Sequence, residues 1–195
     1  MMGINDAANF IIQTIGSLYL FIVLMRFIMQ LMLANFYNPL YELAVKATQP
    51  LLRPIRRVVP SLLGLDISSL VLALLLQILM FVVILILHGY QPITVLLLPW
   101  GLIGILSIFL KIIFWSIIIS VILSWISPGS RSPGADLVAQ ITETVLAPLR
   151  RLVPNLAGLD ISPILAFIAI QFMQNWLIPS LAFYTLMPKE LFGAI

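Results

Sequence analysis

Four apolar stretches, Phe10 to Ala34, Ile67 to Leu87, Leu102 to Ile126 and Ile161 to Phe183, dominate the chain. Each is long enough to cross a bilayer, since a helix needs about 20 mostly apolar residues to span about 30 Å of hydrocarbon. A lipid-exposed backbone must satisfy its own hydrogen bonds, so all four are predicted helical. The balance of residue types agrees: 62% are hydrophobic and 9% charged, against about 45–50% and about 25% in a soluble domain. So few charges cannot cover a water-facing surface, and lipid must be the solvent for most of the chain. Without cysteine, and with His88 as the single histidine, there is no disulfide, thiol nucleophile, thiolate metal site or histidine cluster. No nucleophile-and-base constellation is present either, so neither an enzyme nor a bound cofactor or metal is expected.

The first stretch reads as a retained helix. Residues 1 to 9 contain no Lys or Arg, and the apolar run is too long for the core of a cleaved signal. Thr94 to Trp100 is a shorter apolar piece broken by Pro99, and reads as an interfacial or partly re-entrant lead into the third span. Orientation follows from basic residues in the connections. Lys46, Arg53, Arg56 and Arg57 lie between the first and second spans, and Arg131, Arg150 and Arg151 between the third and fourth. The N-terminal segment and the second-to-third connection have none, and the C-terminal tail has only Lys189. Both long connections are therefore expected in the cytoplasm, with both termini on the other side. The placement of Tyr37 and Trp125 at one boundary, and of Tyr90, Trp100 and Tyr184 at the other, fits interfacial aromatic belts.

The chain repeats itself. TQPLLRPIRRVVPSLLGLDIS, starting at Thr48, aligns without a gap to TETVLAPLRRLVPNLAGLDIS, starting 94 positions later at Thr142. Identical pairs include Pro54/Pro148, Arg56/Arg150, Arg57/Arg151, Pro60/Pro154, Gly64/Gly158, Asp66/Asp160 and Ser68/Ser162, and Pro39/Pro133 and Gln77/Gln171 keep the same register. Each copy, residues 1–93 and 94–195, runs helix, cytoplasmic segment, helix. Two crossings return the chain to its starting side, so the copies share one orientation and a pseudo-twofold along the membrane normal is expected. The predicted fold is an all-α membrane protein of four transmembrane helices, built as two parallel-topology two-helix repeats with cytoplasmic amphipathic segments at the interface.

A doubled two-span unit carrying P-x-R-R-x-x-P and then G-x-D-I-S at the mouth of its second helix resembles the YggT family, called YlmG in some lineages. The resemblance covers both halves. Arg26 resembles the family's arginine in the first helix, and Ser124-Trp125 its Ser-Trp. The pattern is broken at Ser120, which lacks the arginine, at Gln30-Leu31, which lacks the Ser-Trp, and at Ser69, where Pro163 has its proline. The resemblance implies osmotic-stress tolerance and potassium-linked phenotypes in bacteria, a place near division genes, and membrane-complex or nucleoid organisation in plastid relatives. It implies no catalytic reaction, and an inner-membrane location.

Each cytoplasmic segment opens with a helix-start signature, Asn38-Pro39 or Ser132-Pro133, a capping side chain before a proline. Amphipathic patterns follow: Leu40, Leu43, Ala44 and Ala47, then Leu137, Val138, Ile141 and Val145. These helices are expected to lie in the interface plane. Arg53, the pair Arg56-Arg57 and the pair Arg150-Arg151 enforce topology on one reading. On the other, Pro54/Pro60 and Pro148/Pro154 hold the pairs as a rigid basic platform, where each cation contributes about 1 kcal/mol near anionic lipid. Anionic headgroups, a membrane-protein partner and further copies of the chain are the expected contacts; the basic footprint is too small for nucleic acid. Asp66 with Ser68, and Asp160 with Ser162, read as helix caps, the alternative being paired carboxylates at a cation vestibule.

Inside the spans lie Arg26 and Lys111, each of which would cost about 2.5–3.5 kcal/mol at a helix centre. Arg26, about 6 Å from its helix midpoint at about 1.5 Å per residue, is expected to snorkel; Lys111 is nearer the middle. No Asp or Glu lies within a span to neutralise either, which argues against a carboxylate-based ion relay. Gln77 and Gln171 are expected to hydrogen-bond between helices, across the pseudo-twofold or to Lys111, or else to form a polar constriction in a pore. Two functional readings follow: a non-enzymatic organiser of membrane complexes, or a small oligomeric ion channel or transport modulator.

Overall fold

The computed structural model describes residues 4–32, 38–59, 65–92, 94–127, 129, 132–152 and 160–195. Among them the secondary structure is helical throughout, with no strand. Helix α1 runs Ile4–Leu31. It begins before the predicted start at Phe10, with Asp6 in its first turn, where a carboxylate favours the positive end of the helix dipole. Helix α2 is Pro39–Val58, and α3 is Ile67–Leu87 as predicted.

Helix α4, Thr94–Ile126, corrects the reading of Thr94 to Trp100 as a separate lead-in, because that piece is the first turns of one continuous helix. Pro99 sits in the second turn of α4 and lacks the N–H that would bond Val95 O, and the helix runs on through it. Helix α5 is Pro133–Leu152.

The fourth span is α6, Ser162–Phe172, a π-helical turn, Met173–Leu177, and α7, Ile178–Tyr184. The Ile178 N–H reaches Met173 O across the wider turn, just before Pro179, which has no N–H to donate to Asn175. Four helical stretches are long and apolar enough to cross a membrane: 6–31, 67–87, 95–126 and 162–184. The protein is thus a multi-pass membrane protein in its architecture.

Helices α1 and α3 pack along Leu20, Val23, Leu24, Phe27 and Ile28 on one side and Leu72 and Ala73 on the other. At Gly16 of α1 the missing side chain leaves room for Met80 of α3, since a Cβ there would lie 2.7 Å from Met80 Sδ; small residues ease helix packing in this way inside lipid. A second core joins α3 and α4 through Phe81, Ile84, Trp100 and Ile117, and extends to Ala166 and Ile170 of α6 and Ala182 of α7.

The repeats share an element order but not an environment. Asn38 Nδ2 donates to Pro133 O at 2.7 Å, so the starts of α2 and α5, which correspond in the repeat, lie side by side. Elsewhere the symmetry fails. The fourth span buries 17% of its most apolar window where the second buries 39%, which leaves Phe172, Trp176 and Phe183 facing outwards.

The chain then turns at Leu186, whose φ of 55° lies in the left-handed region, with Met187 N bonded to Ala182 O at 2.9 Å and Leu186 N to Phe183 O at 3.1 Å. That is a helix C-terminal turn with a leucine in the place usually taken by glycine. A 3-10 helix, Lys189–Ala194, follows and packs back against α1 and α3, burying Leu191 and Ala194.

Candidate functional site

The polar residues singled out in the sequence gather at three places, and the first is the junction of α1, α2 and α3. Asp66 caps α3, its carboxylate accepting from Ser69 N at 3.3 Å and Ser69 Oγ at 2.7 Å. The same Asp66 Oδ2 takes Arg56 Nη2 at 2.7 Å and faces Arg26 Nε at 3.5 Å. Arg26 Nη1 donates to Thr48 Oγ1 at 2.7 Å, with longer contacts of 3.4 Å to Val45 O and Gln49 Oε1. Arg26 Nε makes an ion contact but no aligned hydrogen bond. Ser68 Oγ donates to Val59 O at 2.7 Å, tying the end of α2 to the start of α3.

One expectation is corrected at this junction, and of the two readings of Asp66 the helix cap holds. Arg26 does not snorkel: it is 3% exposed, and the carboxylate that neutralises it comes from Asp66, just outside the next span. A buried guanidinium needs such a partner, because an unpaired charge in low dielectric is costly. Asp66 is likewise a cap and an ion-pair partner, enclosed at 1% exposure, not a mouth open to cations. Burial pushes its carboxyl up, but Ser69, Arg56 and Arg26 outweigh that and hold it below the ordinary carboxylate value.

The second repeat builds a related but more open clamp. Asp160 Oδ1 accepts from Ser162 N at 2.9 Å at the start of α6, and its Oδ2 takes Arg150 Nε at 2.7 Å. Arg150 Nη1 also meets both oxygens of Glu143, at 2.8 and 2.7 Å. Asp160 and Arg150 are 36% and 40% exposed. Burial acts upwards on Asp160, and the Ser162 and Arg150 contacts lower it on balance; the bond to Asp160 raises Arg150 further.

These clamps divide the basic platform. Arg56 and Arg150 turn back onto the aspartates of their own repeats, so a platform of two free pairs is corrected to single cations. Arg53, Arg57 and Arg151 are exposed and have no partner among the described residues. The apolar face of α2 is likewise split: Ala44, Thr48 and Leu52 face the bundle, while Leu40, Leu43, Leu51 and Val58 stay exposed. Pro60, Gly64, Arg131, Pro154 and Gly158 lie outside the described residues, as does Tyr37.

At mid-span the glutamines do not meet. Gln171 is exposed and accepts from Asn175 one turn on, at 2.6 Å. Gln77 is fully buried and donates to Ala194 O at 3.0 Å. Gly104 lets that amide fit, since a Cβ there would lie 2.7 Å from Gln77 Nε2. Lys111 donates to the main-chain oxygen of Ile195, beside a groove of about 450 Å³ that Phe21, Met25 and Trp115 help to line. The C-terminal segment therefore supplies the partners expected from Gln171. Tyr90 and Trp100, read as a boundary belt, hold the same segment: Tyr90 OH donates to Glu190 Oε1 at 3.1 Å and Trp100 Nε1 to Thr185 O at 3.0 Å.

Sequence reasoning missed Thr48, Glu143 and the returning tail. The exchange of Gln49 for Glu143 between the repeats was a usable signal for the second clamp; residues 189–195 carried none. Among the described residues no group of acidic or histidine side chains could hold a metal.

With an Arg–Asp clamp in each of its two halves, the chain is a small, internally duplicated membrane protein. The family model CCB3/YggT matches residues 5–87 and again 99–181, and the chain belongs to that family. It is 53% identical over 193 residues to an uncharacterized protein of Pseudomonas aeruginosa, covering 98% of each chain. It is 37% identical over 169 residues to an uncharacterized Vibrio alginolyticus protein, covering 86% of this chain and 91% of the other. Against the uncharacterized Escherichia coli K12 protein YggT, identity is 35% over 162 residues, with 82% and 83% covered. No solved structure matches.

Proposed function

We propose that the chain is a non-enzymatic protein of the bacterial inner membrane that organises or assists membrane complexes, with α2 and α5 on the cytoplasmic leaflet and both termini on the opposite side. The observation that carries this reading is the free set Arg53, Arg57 and Arg151, accompanied on α2 by the exposed apolar flank Leu40, Leu43, Leu51 and Val58. An in-plane helix with that division seats its apolar flank among acyl chains and offers its cations to anionic headgroups or to an acidic partner. Osmotic-stress tolerance is the process in which we place this role. The channel reading has less support, because Gln77 and Lys111 are engaged by residues 194 and 195 and Gln171 lies on the outside.

The test replaces Arg53, Arg57 and Arg151 together with Gln, leaving Arg56 and Arg150 in their clamps. Photo-crosslinking from α2 in native membranes is expected to lose its discrete adducts while single cysteines at positions 46 and 136 still label from the cytoplasm. Survival under hyperosmotic shock is expected to fall. Unchanged adducts and unchanged survival would eliminate the proposal, and ion flux above that of empty liposomes would favour the channel.

A further inference from the structure

The fourth span carries amide side chains on its outer face at the depth where hydrocarbon is thickest. Gln171 and Asn175 stand two residues either side of the centre of Ser162–Tyr184, within about 3 Å of it at about 1.5 Å per residue, and both are exposed. Asn175 Nδ2 donates to Gln171 Oε1 at 2.6 Å. That bond leaves the pair incomplete: the Gln171 amide N–H groups and Asn175 Oδ1 meet nothing among the described residues. Lipid offers neither donor nor acceptor, so amides inside a membrane are matched by protein.

The first repeat has the same positions covered. Gln77, the counterpart of Gln171, is fully buried and bonded to Ala194 O. Phe81, the counterpart of Asn175, is buried in the core between α3 and α4. On the fourth span the exposed residues Ile164, Ile168, Gln171 and Asn175 follow one another at intervals of four, three and four. That is the spacing of a seam between two parallel helices, in which a polar residue fixes the register and the number of strands. Beside the seam the rings of Phe172 and Trp176 stack with centroids 5.0 Å apart. A groove of about 400 Å³, bordered by Asn175, Trp176, Pro179 and Phe183, opens next to them.

We propose that this face is the interface between two copies of the chain, related by a two-fold axis along the membrane normal. Copies inserted in one orientation bring their amide pairs to one depth, and each pair is compact because its two amides already touch. The patch is complementary to itself in partial charge. Gln171 donors of each copy face the free Asn175 acceptor of the other, twice over, as an isologous contact requires. An unrelated helix must supply a matching donor and acceptor at that depth, whereas a second copy always does. The stacked rings flank the seam, and the groove receives a bulky side chain from the facing span. Lying at mid-span, this interface is separate from Arg53, Arg57 and Arg151, so the two proposals fail independently.

The experiment places single cysteines in the full chain, which has none of its own, and oxidises native membranes. Ile164→Cys and Ile168→Cys are expected to give a disulfide-linked dimer. Ile15→Cys on α1 is the control; it is 64% exposed against 62% for Ile168, and is expected to stay monomeric. Adding Gln171→Leu with Asn175→Leu is expected to lower the dimer yield at position 168 several-fold, while Asn175→Gln, which keeps both donor and acceptor, retains it. Both amides face outwards, so the melting temperature of the detergent-solubilised leucine variant is expected to hold. Monomer alone at 164 and 168, an equal dimer yield at 15, a yield unchanged by the two leucines, or an adduct with a different protein in place of the dimer would overturn the proposal.

Discussion

Arg26 Nε lies 3.5 Å from Asp66 Oδ2 across the α1–α3 boundary, with the two side chains 3% and 1% exposed. The second clamp, Arg150 with Asp160, has a shorter contact of 2.7 Å but is 40% and 36% exposed. Burial, not distance, decides which pair matters more to the fold, because water screens the second and not the first.

Arg26→Met is therefore expected to lower stability by about 3 kcal/mol, the low end of the effect of breaking a buried pair, since Arg56 still faces Asp66. Arg150→Gln is expected to lower it by about 1 kcal/mol or less. Melting in detergent measures both, and equal losses would contradict the burial argument.

The Asp66 carboxyl is held below its ordinary value in the folded protein, so the unfolded chain takes up its proton first as pH falls. Its contribution to stability is complete above the unfolded carboxyl value of about 3.9 and is lost as pH drops through the lower folded value. A melting temperature that is flat from neutrality to about pH 5 and falls below about pH 4 is expected. Asp66→Asn should start lower and fall less steeply; an unaltered acid slope would assign the effect elsewhere.

Gln77 holds the tail through Ala194 O, and a buried hydrogen bond contributes about 0.5–1.5 kcal/mol. Because the chain has no cysteine, a single cysteine at position 191 reports directly on tail release. Maleimide labelling there should be slow and should speed up several-fold on adding Gln77→Leu. Gly104→Ala should do the same by pushing the Gln77 amide aside. Labelling that ignores both changes would mean that the tail is held by apolar packing and Lys111 alone.

Local physics made much of the architecture readable. The ends of α3 follow from an apolar run that begins after Asp66 and stops at His88. Asn38 caps α2 at Leu40 N, 2.9 Å away, as the Asn-Pro pair implied. The continuity of α4 through Pro99 was not readable in the same way, because a proline in the second turn forfeits one helical bond, to Val95 O, and packing of the neighbouring Leu97 and Trp100 into the core, not the local sequence, offsets that loss. The π-turn at Met173–Leu177 was equally silent in the sequence.

The sequence by itself determined how many times the chain can cross a bilayer and where α2, α3 and α5 begin, because lipid allows one way of satisfying an exposed backbone and helix caps are settled within a few residues. Its internal repeat also determined that two clamps would be attempted. Only the tertiary structure decided which polar atoms meet: Arg26 with Asp66, Asn38 with Pro133, Gln77 with Ala194. In a low-dielectric interior each such group takes whichever partner the packed helices bring within about 3 Å, and distance along the chain carries no record of that approach.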